Sequence, residues 1–416
     1  MRAVALQRAI FLAGLGLEIC LLGLVERSLR GTDPAPAIAF YLGASLVYLI
    51  LVTLLNCGQG TARCRFVVGA ALVFRCTVFW MSPVFSDDLY RYRWEGKLQL
   101  AGGNPYQERP GDIRWIELRD HLFHKVDGKD FKAVYGPLVE HLQREMARLS
   151  SSVFMQKAPA IIADLALLLL LARWHGARAV LLYGWCPLTI VEFVGMGHND
   201  ALLILFLVLA LRYRSATALG LAIAVKWWPA LLLPAFFRER KGTALAVLVP
   251  LLLFVPYASD IRDNADFASG FLGGWSNNPS LFWIVEAITP TRQAAKWVVL
   301  ALIGFVALIP QQRLEQSVLS TTLAILLLSA NVHAWYLTWL MPHWAFLTLP
   351  PLAFWIALTP LQYWGLVEGQ RVGRWVERGP WNAVVYGIAA AVLGSWLVRR
   401  RPLLLGREES VGRTRS

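Results

Sequence analysis

Long apolar runs separated by short polar or basic links recur along the chain. A membrane-spanning helix needs roughly 20 mostly apolar residues. The runs therefore predict an all-α polytopic membrane protein, a bundle of roughly eleven to thirteen transmembrane helices. They cover about 9–26, 37–56, a stretch ending at Pro83, 158–174, 179–196, 201–211, 243–258, 294–310, 317–331, 335–349, 351–363 and 382–398.

One further apolar segment, 216–237, is long enough to cross a membrane once but is interrupted. Lys226, two tryptophans and Pro229 fall in its middle, and basic residues follow it. A proline and a charge inside an apolar stretch favour a broken or re-entrant pair of half-helices. We expect such a break at Lys226.

Composition agrees with the bilayer assignment. The chain of 416 residues is 57% hydrophobic and 16% charged, with a mean hydropathy of +0.50. A soluble domain carries roughly a quarter charged residues. We therefore predict a single membrane domain over residues 1–398 with an outward loop at 85–157, followed by a disordered basic tail at 399–416.

The net charge of +13 does not indicate nucleic-acid binding, because the basic residues cluster in short links and in the tail. Positive links usually lie on the cytoplasmic side. Both termini are then cytoplasmic and the loop at 85–157 faces outward. The five cysteines show no zinc-type spacing and are expected to be free thiols.

Chemistry-bearing residues concentrate between 86 and 137. In a helix, residues three and four apart share a face, and Asp88, Tyr92 and Glu95 have this spacing. The glycines and Asn104-Pro105 that follow predict a sharp turn. Asp87 and Asp88 also stand where a helix begins, so capping is an alternative to a role as general base, and both roles can coexist.

Three further polar groups interrupt apolar runs. His198, Asn199 and Asp200 either cap the following helix or face a cavity. Lys226 either extends to the interface or binds a phosphate as a point charge. Trp335 and Tyr336 fit an interfacial aromatic belt, and the alternative is that His333 and Tyr336 line a sugar or phosphate pocket. No phosphate-binding glycine loop, nucleophile elbow or HExxH helix is present.

These motifs together resemble those of the GT-C superfamily of glycosyltransferases, and most closely bacterial mannosyltransferases that use polyprenyl-phosphate-mannose. The similarity covers about residues 80–345. It rests on the motifs Asp87-Asp88-Leu89-Tyr90-Arg91-Tyr92-Arg93-Trp94-Glu95-Gly96, Gly103-Asn104-Pro105-Tyr106, Tyr135-Gly136-Pro137, Gly197-His198-Asn199-Asp200, Lys226 with Pro229, and Trp335-Tyr336.

The resemblance implies a helical bundle whose outward loop carries amphipathic helices and a catalytic aspartate. In that family the aspartate stands four residues before a tyrosine, which selects Asp88 with Tyr92 over Asp87. Glu95 replaces an aspartate that is common in the family, and Gly136 replaces part of a proline-rich turn. The implied donor is a polyprenyl-phosphate sugar, and the implied acceptor is a glycan or glycolipid.

The expected reaction is inverting transfer of a sugar, mannose in the first instance, at the outer face of the cytoplasmic membrane. Asp88, with Asp87 beside it, removes the acceptor proton. No cofactor is expected, since two adjacent acids make a poor metal site. The donor phosphate is assigned to Lys226, Arg91, His198 and His333, and the substrates to Tyr92, Glu95, Asn104, Tyr106, Tyr135, Asn199, Asp200, Trp335 and Tyr336.

Two other functions stay open at this point. A lipid or sugar transporter or flippase also places ionisable groups in a membrane, although usually near the midplane and with inverted repeats, which this sequence lacks. A ligase or polymerase that moves a whole glycan from a lipid diphosphate would share the fold and the outward loop.

Overall fold

The computed structural model describes residues 3–31, 33–57, 64–239, 244–258, 276–373, 376–377 and 379–405. Within these ranges the chain forms helices and turns, with one isolated bridge between Asn277 and Asn331. The predicted all-α fold is confirmed. Residues 259–275 fall outside the described residues, as does the part of the predicted tail from residue 406 onward.

The first half of the chain forms long helices around a structured loop. Helical turns also occur at Ile113–Leu118, Phe123–Lys125, Val153–Lys157, Pro187–Thr189 and Ile190–Gly195, the last of them π-helical. The helices are α1 (Ala3–Arg30), α2 (Ala35–Cys57), α3 (Cys64–Phe79), α4 (Asp88–Leu100), α5 (Pro137–Leu149), α6 (Ala158–Gly184) and α7 (Asp200–Tyr213).

The second half is more broken. Helical turns of the 3-10 type lie at Trp228–Leu232, Val255–Tyr257, Ala334–Thr348 and Thr359–Tyr363. The last helix runs past residue 398, where the sequence predicts a tail. The helices are α8 (Ala216–Val225), α9 (Leu233–Glu239), α10 (Ala244–Phe254), α11 (Phe282–Ile288), α12 (Arg292–Leu308), α13 (Leu314–Leu328), α14 (Pro350–Leu358), α15 (Trp364–Val372) and α16 (Pro380–Leu405).

Three described stretches are long and apolar enough to cross a membrane: Val4–Arg30, Ala35–Leu55 and Val153–Gly184. Large apolar side chains such as Leu12 and Ile19 on α1 point outward and are exposed. Such a surface is stable against lipid and unfavourable in water. The chain is therefore a membrane protein, and the predicted number of spans stays a prediction.

Two predicted interruptions are present in the structure. Gly176 breaks α6 with a φ of 69°, a value that favours glycine, between the runs predicted at 158–174 and 179–196. Lys226 ends α8 in extended conformation, and Pro229 then lies in the first turn of the next helical segment. The expected break at Lys226 is confirmed, and it leaves the lysine on a turn rather than within a helix.

An ion pair holds the helices beside the site together. Arg75 on α3 donates from Nε and Nη2 to the two oxygens of Asp164 on α6, at 2.6 and 2.9 Å. Tyr183 donates to the same carboxylate at 2.6 Å. Both charged side chains are almost completely buried, so each depends on the other for compensation.

The loop between α3 and α6 has a small core of its own. Tyr90, Trp94 and Leu98 on α4 pack against Trp115 and Val126 from the turns that follow. These residues lie on the side of α4 that faces the turns. The loop is therefore a packed unit that holds the first turn of α4, with its two aspartates, in a fixed position.

Candidate active site

Asp88 lies in the first turn of α4 and lines two cavities. The first, called here the apolar cavity, has a volume of about 470 Å³, and its lining includes Trp228, Phe282, Val299, Ile303, Lys226 and Lys296. The second, called here the polar cavity, has a volume of about 480 Å³, and its lining includes Ser86, Asp87, Asp127, Asn277 and Gln362. Both cavities share His333 and Trp335 as well.

The carboxylate of Asp88 is held by aromatic and imidazole groups. Tyr92, one turn along α4, donates its hydroxyl to Asp88 Oδ2 at 3.5 Å. The Nδ1 atom of His198 lies 3.3 Å from the same oxygen. Burial raises the pKa of Asp88, but the contact with His198 and the nearby charges outweigh that effect and lower it below its ordinary value. Asp88 is therefore a carboxylate at neutral pH.

Asp87 has a different environment. It occupies the N-cap position of α4, yet its side chain makes no capping hydrogen bond, and it is exposed at the mouth of the polar cavity. The walls of the cavity partly desolvate its carboxylate. That desolvation, with the negative charges of Asp127 and Asp88, raises the pKa of Asp87 to about 6. The two neighbouring acids thus ionise in separate pH ranges.

His198 lies behind Asp88 and is fully buried. Its Nε2 atom is 3.4 Å from Glu192 Oε2, and its ring stacks on Trp335 with 4.0 Å between ring centroids. Burial alone would lower the pKa of His198, but the two carboxylates raise it to about 9. The described linings of the cavities do not include His198, so the structure places it behind the aspartate rather than against a ligand.

His333 stacks on Trp335 as well, with 4.2 Å between ring centroids. Its Nδ1 atom lies 2.9 Å from the amide nitrogen of Asn277. An amide nitrogen only donates, so Nδ1 accepts and the neutral ring carries its proton on Nε2. Burial lowers the pKa of His333 to about 4. The residue is a neutral hydrogen-bonding group at both cavities rather than the cation that sequence reasoning assigned to the phosphate.

Lys226 forms a partly buried ion pair with Asp200. Its Nζ atom donates to Asp200 Oδ1 at 2.8 Å and to Oδ2 at 3.0 Å. The ammonium also lies 4.7 Å from the ring centroid of Tyr336 and 5.2 Å from that of Trp339. Lys226, Tyr336 and Trp339 line the apolar cavity, and the phosphate role of Lys226 stays a prediction.

Two of the predicted site residues form the interior of the loop instead. Arg91 donates from Nε to Glu95 at 2.6 Å and from its other nitrogens to the carbonyls of Asp127, Gly128 and Phe131. Both partners of the pair are buried. Arg91 therefore cross-links α4 to the following turns, and neither it nor Glu95 is among the described residues that line the cavities.

Some of the remaining predicted residues line a cavity, and others make contacts within the loop. Tyr135 lines the apolar cavity and packs edge-to-face against Tyr92, with 5.0 Å between ring centroids. Asn104 donates to the Tyr257 carbonyl, and Tyr106 donates to the Tyr135 carbonyl. Asn199 is the N-cap of α7 by position, without a side-chain cap bond. Asn104 and Tyr106 thus shape the loop from outside the site.

Sequence reasoning missed Glu192, Lys296 and the polar cavity. Glu192 stands alone as a charge within an apolar run, and an ionisable residue in such a run is a signal that could have identified it. Asp127 and Gln362 gave no comparable signal, because distant parts of the chain bring them to the same cavity.

Comparison with known families assigns the chain to one of them. A family model described as MptA_B_family, alpha-(1->6)-mannopyranosyltransferase, N-terminal domain, matches residues 20–257, more than half of the chain. That range includes α4, both aspartates, Glu192, His198 and Lys226. Neither the comparison with curated proteins nor that with solved structures found a match. The chain belongs to the MptA_B family of alpha-(1->6)-mannopyranosyltransferases and is a membrane mannosyltransferase of GT-C type.

Proposed function

We propose that this mannosyltransferase takes mannose from a polyprenyl-phosphate donor and transfers it, with inversion, to a hydroxyl of a glycan or glycolipid. The observation that carries the proposal is the position of Asp88, which lines both an apolar cavity with two lysines and a polar cavity with two further acids. A lipid-linked donor and a hydrophilic acceptor need those two environments on either side of one base.

The apolar cavity suits the donor. Its lining of Val299, Ile303 and Phe282 offers apolar contacts to isoprene units, while Lys226 supplies positive charge near Asp88. Charge builds on the departing phosphate in the transition state, and a fixed cation there lowers the barrier. A polyprenyl phosphate reaches such a cavity from the bilayer, which removes any need for a nucleotide-binding domain.

The polar cavity suits the acceptor. Asp87, Asp127, Asn277 and Gln362 offer hydrogen-bonding groups of the kind that sugar hydroxyls use. Asp88 accepts the proton of the attacking hydroxyl as the new glycosidic bond forms and the bond from the anomeric carbon to the phosphate oxygen breaks. The proton ends on Asp88, and the electron pair leaves with the lipid phosphate.

Inversion fixes the donor stereochemistry. The attacking oxygen and the leaving phosphate lie on opposite faces of the anomeric carbon, so the configuration changes in one displacement. The family name specifies an alpha-(1->6) bond. Carried to this chain, it requires a β-linked mannosyl phosphate and an acceptor with a free primary hydroxyl.

We propose that the reaction needs no metal ion and takes place at the outer face of the cytoplasmic membrane. Asp87 is exposed, whereas the carboxylate of Asp88 lies against His198. Two carboxylates in such different environments are poorly arranged to bind one metal ion together. The outward position of the loop rests on the distribution of basic links, with both termini cytoplasmic.

The competing functions differ in their products. A transporter or flippase moves its ligand without releasing lipid phosphate, and a ligase requires a lipid diphosphate. Purified protein incubated with polyprenyl-phosphate-mannose, a polyprenyl-diphosphate glycan or a nucleotide-linked mannose separates these cases. The proposal predicts mannosylated acceptor and free polyprenyl phosphate from the first donor. Transfer from the nucleotide donor alone, or no chemical product at all, would refute it.

A further inference from the structure

Glu192 is a buried carboxylate that the proposed transfer chemistry does not touch. It lies in the π-helical turn Ile190–Gly195 and has no exposed surface. Tyr41 donates to its Oε1 at 2.9 Å, and Tyr363 donates to both of its oxygens at 2.9 Å. A buried charge at membrane depth is costly, and two tyrosine hydroxyls compensate it only in part. The third group that contacts this carboxylate is His198.

The imidazole of His198 lies between two carboxylates. Its Nδ1 atom is 3.3 Å from Asp88 Oδ2, and its Nε2 atom is 3.4 Å from Glu192 Oε2. A neutral imidazole has one accepting nitrogen, which would then face a carboxylate. Neither contact has full hydrogen-bond geometry, but an imidazolium ion carries an N–H on both nitrogens and pairs with both carboxylates at these distances. Stacking on Trp335 fixes the plane of the imidazole ring and so restricts rotation of the His198 side chain.

We propose that Glu192 is a positioning residue for mannosyl transfer, which through the imidazolium ion of His198 keeps Asp88 ionised and oriented between the two cavities. The proposal rests on the proposed role of Asp88 as the base. Glu192 itself touches neither substrate in this account. It acts on the reaction only by setting the protonation state and direction of the ring behind the base.

The other titratable groups around His198 leave this arrangement intact. Asp200 is paired with Lys226, and His333 is neutral because its pKa is lowered to about 4. Tyrosines are neutral in this pH range. Among the described residues, Asp88 and Glu192 are the carboxylates that contact the His198 ring directly. The groups that face this region are Asp88, Asp200, Lys226, His333, Tyr41, Tyr92, Tyr336 and Tyr363.

The pH dependence of kcat tests the proposal in the Glu192→Gln variant. An amide at position 192 can donate to Nε2, so His198 loses its proton at lower pH and Asp88 loses its cationic partner. We expect the alkaline limb of the kcat–pH profile to move down and its acidic limb to move up, each by about one pH unit, so that kcat falls by about twofold at pH 8 and by about fivefold at pH 9. The KM values for donor and acceptor should change by less than about twofold.

Tyr41→Phe is the matched control. It removes one hydrogen bond to the same carboxylate but keeps the negative charge at position 192. We expect it to lower the Tm while the width of the pH profile stays that of the wild type. If Glu192→Gln also lowers the Tm and leaves the profile unchanged, Glu192 has only a structural role and the proposal is overturned.

A second measurement uses the wild-type protein and does not depend on folding of a variant. Histidine ¹⁵N NMR of the labelled protein should show one of the seven imidazoles doubly protonated at pH 8, and His198→Gln should remove that signal. A neutral His198 at pH 8 would overturn the proposal. Active Asp88→Asn would instead refute the proposed base, whereas inactive Asp88→Asn with an unchanged Glu192→Gln profile refutes only the role of Glu192.

Discussion

Lys226 and Asp200 form an ion pair at the edge of the apolar cavity, with Nζ 2.8 Å from Oδ1. The indole of Trp339 also donates to Asp200. The carboxylate fixes the lysine at the turn between α8 and the segment that follows, instead of leaving it mobile. A fixed cation stabilises a departing phosphate without the cost of reorganising it during the reaction.

Lys226→Gln tests that role. Glutamine can still donate to Asp200 but carries no charge, so we expect the donor KM to rise about tenfold or more while the acceptor KM changes by less than about twofold. Initial-rate kinetics with each substrate varied in turn measure both values. Asp200→Asn, which keeps the lysine charge, is the control and should not weaken donor use as much. Equal loss for donor and acceptor would argue against a phosphate contact.

The two aspartates predict different pH behaviour. If Asp88 is the base, its lowered pKa keeps it ionised well below neutrality, and activity is lost only as the pH falls through that low value. If Asp87 were the base, activity would fall below a midpoint of about 6. We expect a wild-type kcat that is flat through pH 6 and is retained within about tenfold in Asp87→Asn. A midpoint near 6 that vanishes in Asp87→Asn would reverse the assignment.

The stereochemistry gives a test that needs no mutation. Inversion to an alpha product requires the β-anomer of mannosyl phosphate on the polyprenol. We expect turnover with that anomer and a rate at least about a hundredfold lower with the α-anomer, because misdirected attack loses the benefit of orientation. Product linkage and anomer are read by NMR. Equal use of the two donors, or a β-linked product from the β-anomer, would contradict inversion.

Gly136 connects the outward loop to the lysine turn. Its amide donates to the Val225 carbonyl at 2.9 Å, and a Cβ at this position would collide with the Ala224 carbonyl. Gly136→Ala should push the start of α5 away from the end of α8 and weaken donor use about tenfold. Gly304→Ala is the control, since a Cβ there meets no atom within 4 Å. Donor kinetics unchanged in Gly136→Ala would show that this contact does not set the position of Lys226.

The Arg75–Asp164 pair predicts a stability effect without a role in chemistry. Arg75→Leu leaves a buried carboxylate and should cost about 3–5 kcal/mol, seen as a large drop in Tm in detergent. The double variant Arg75→Leu with Asp164→Leu removes both charges and should recover much of that loss. A double variant as unstable as the single one would show that packing, rather than charge compensation, sets the cost.

Local patterns predicted the elements near the site, and tertiary contacts decided which side chains reach it. The spacing of Asp88, Tyr92 and Glu95 predicted α4, because a helix repeats every 3.6 residues. That spacing did not show that Arg91 pairs with Glu95, or that the carbonyls of residues 127, 128 and 131 also surround the guanidinium. The contacts with those carbonyls join segments about 40 residues apart, and no local pattern encodes them.

The histidines illustrate the same limit. The sequence pattern identified His198 and His333 as polar residues at the ends of apolar runs. In the structure both rings stack on Trp335. Their charges differ because His198 also meets two carboxylates while His333 meets an amide. Protonation state therefore follows from partners on α4 and on the π-helical turn, which become neighbours only in the folded chain.

The most direct test of the account is sugar transfer by purified Asp88→Asn with polyprenyl-phosphate-mannose and a mannoside acceptor. Asparagine keeps the size and part of the hydrogen bonding but cannot take the proton. We predict an inserted, monodisperse protein with wild-type donor binding and a kcat about a thousandfold lower. Near-normal release of polyprenyl phosphate and mannosylated product by this variant would contradict Asp88 as the base.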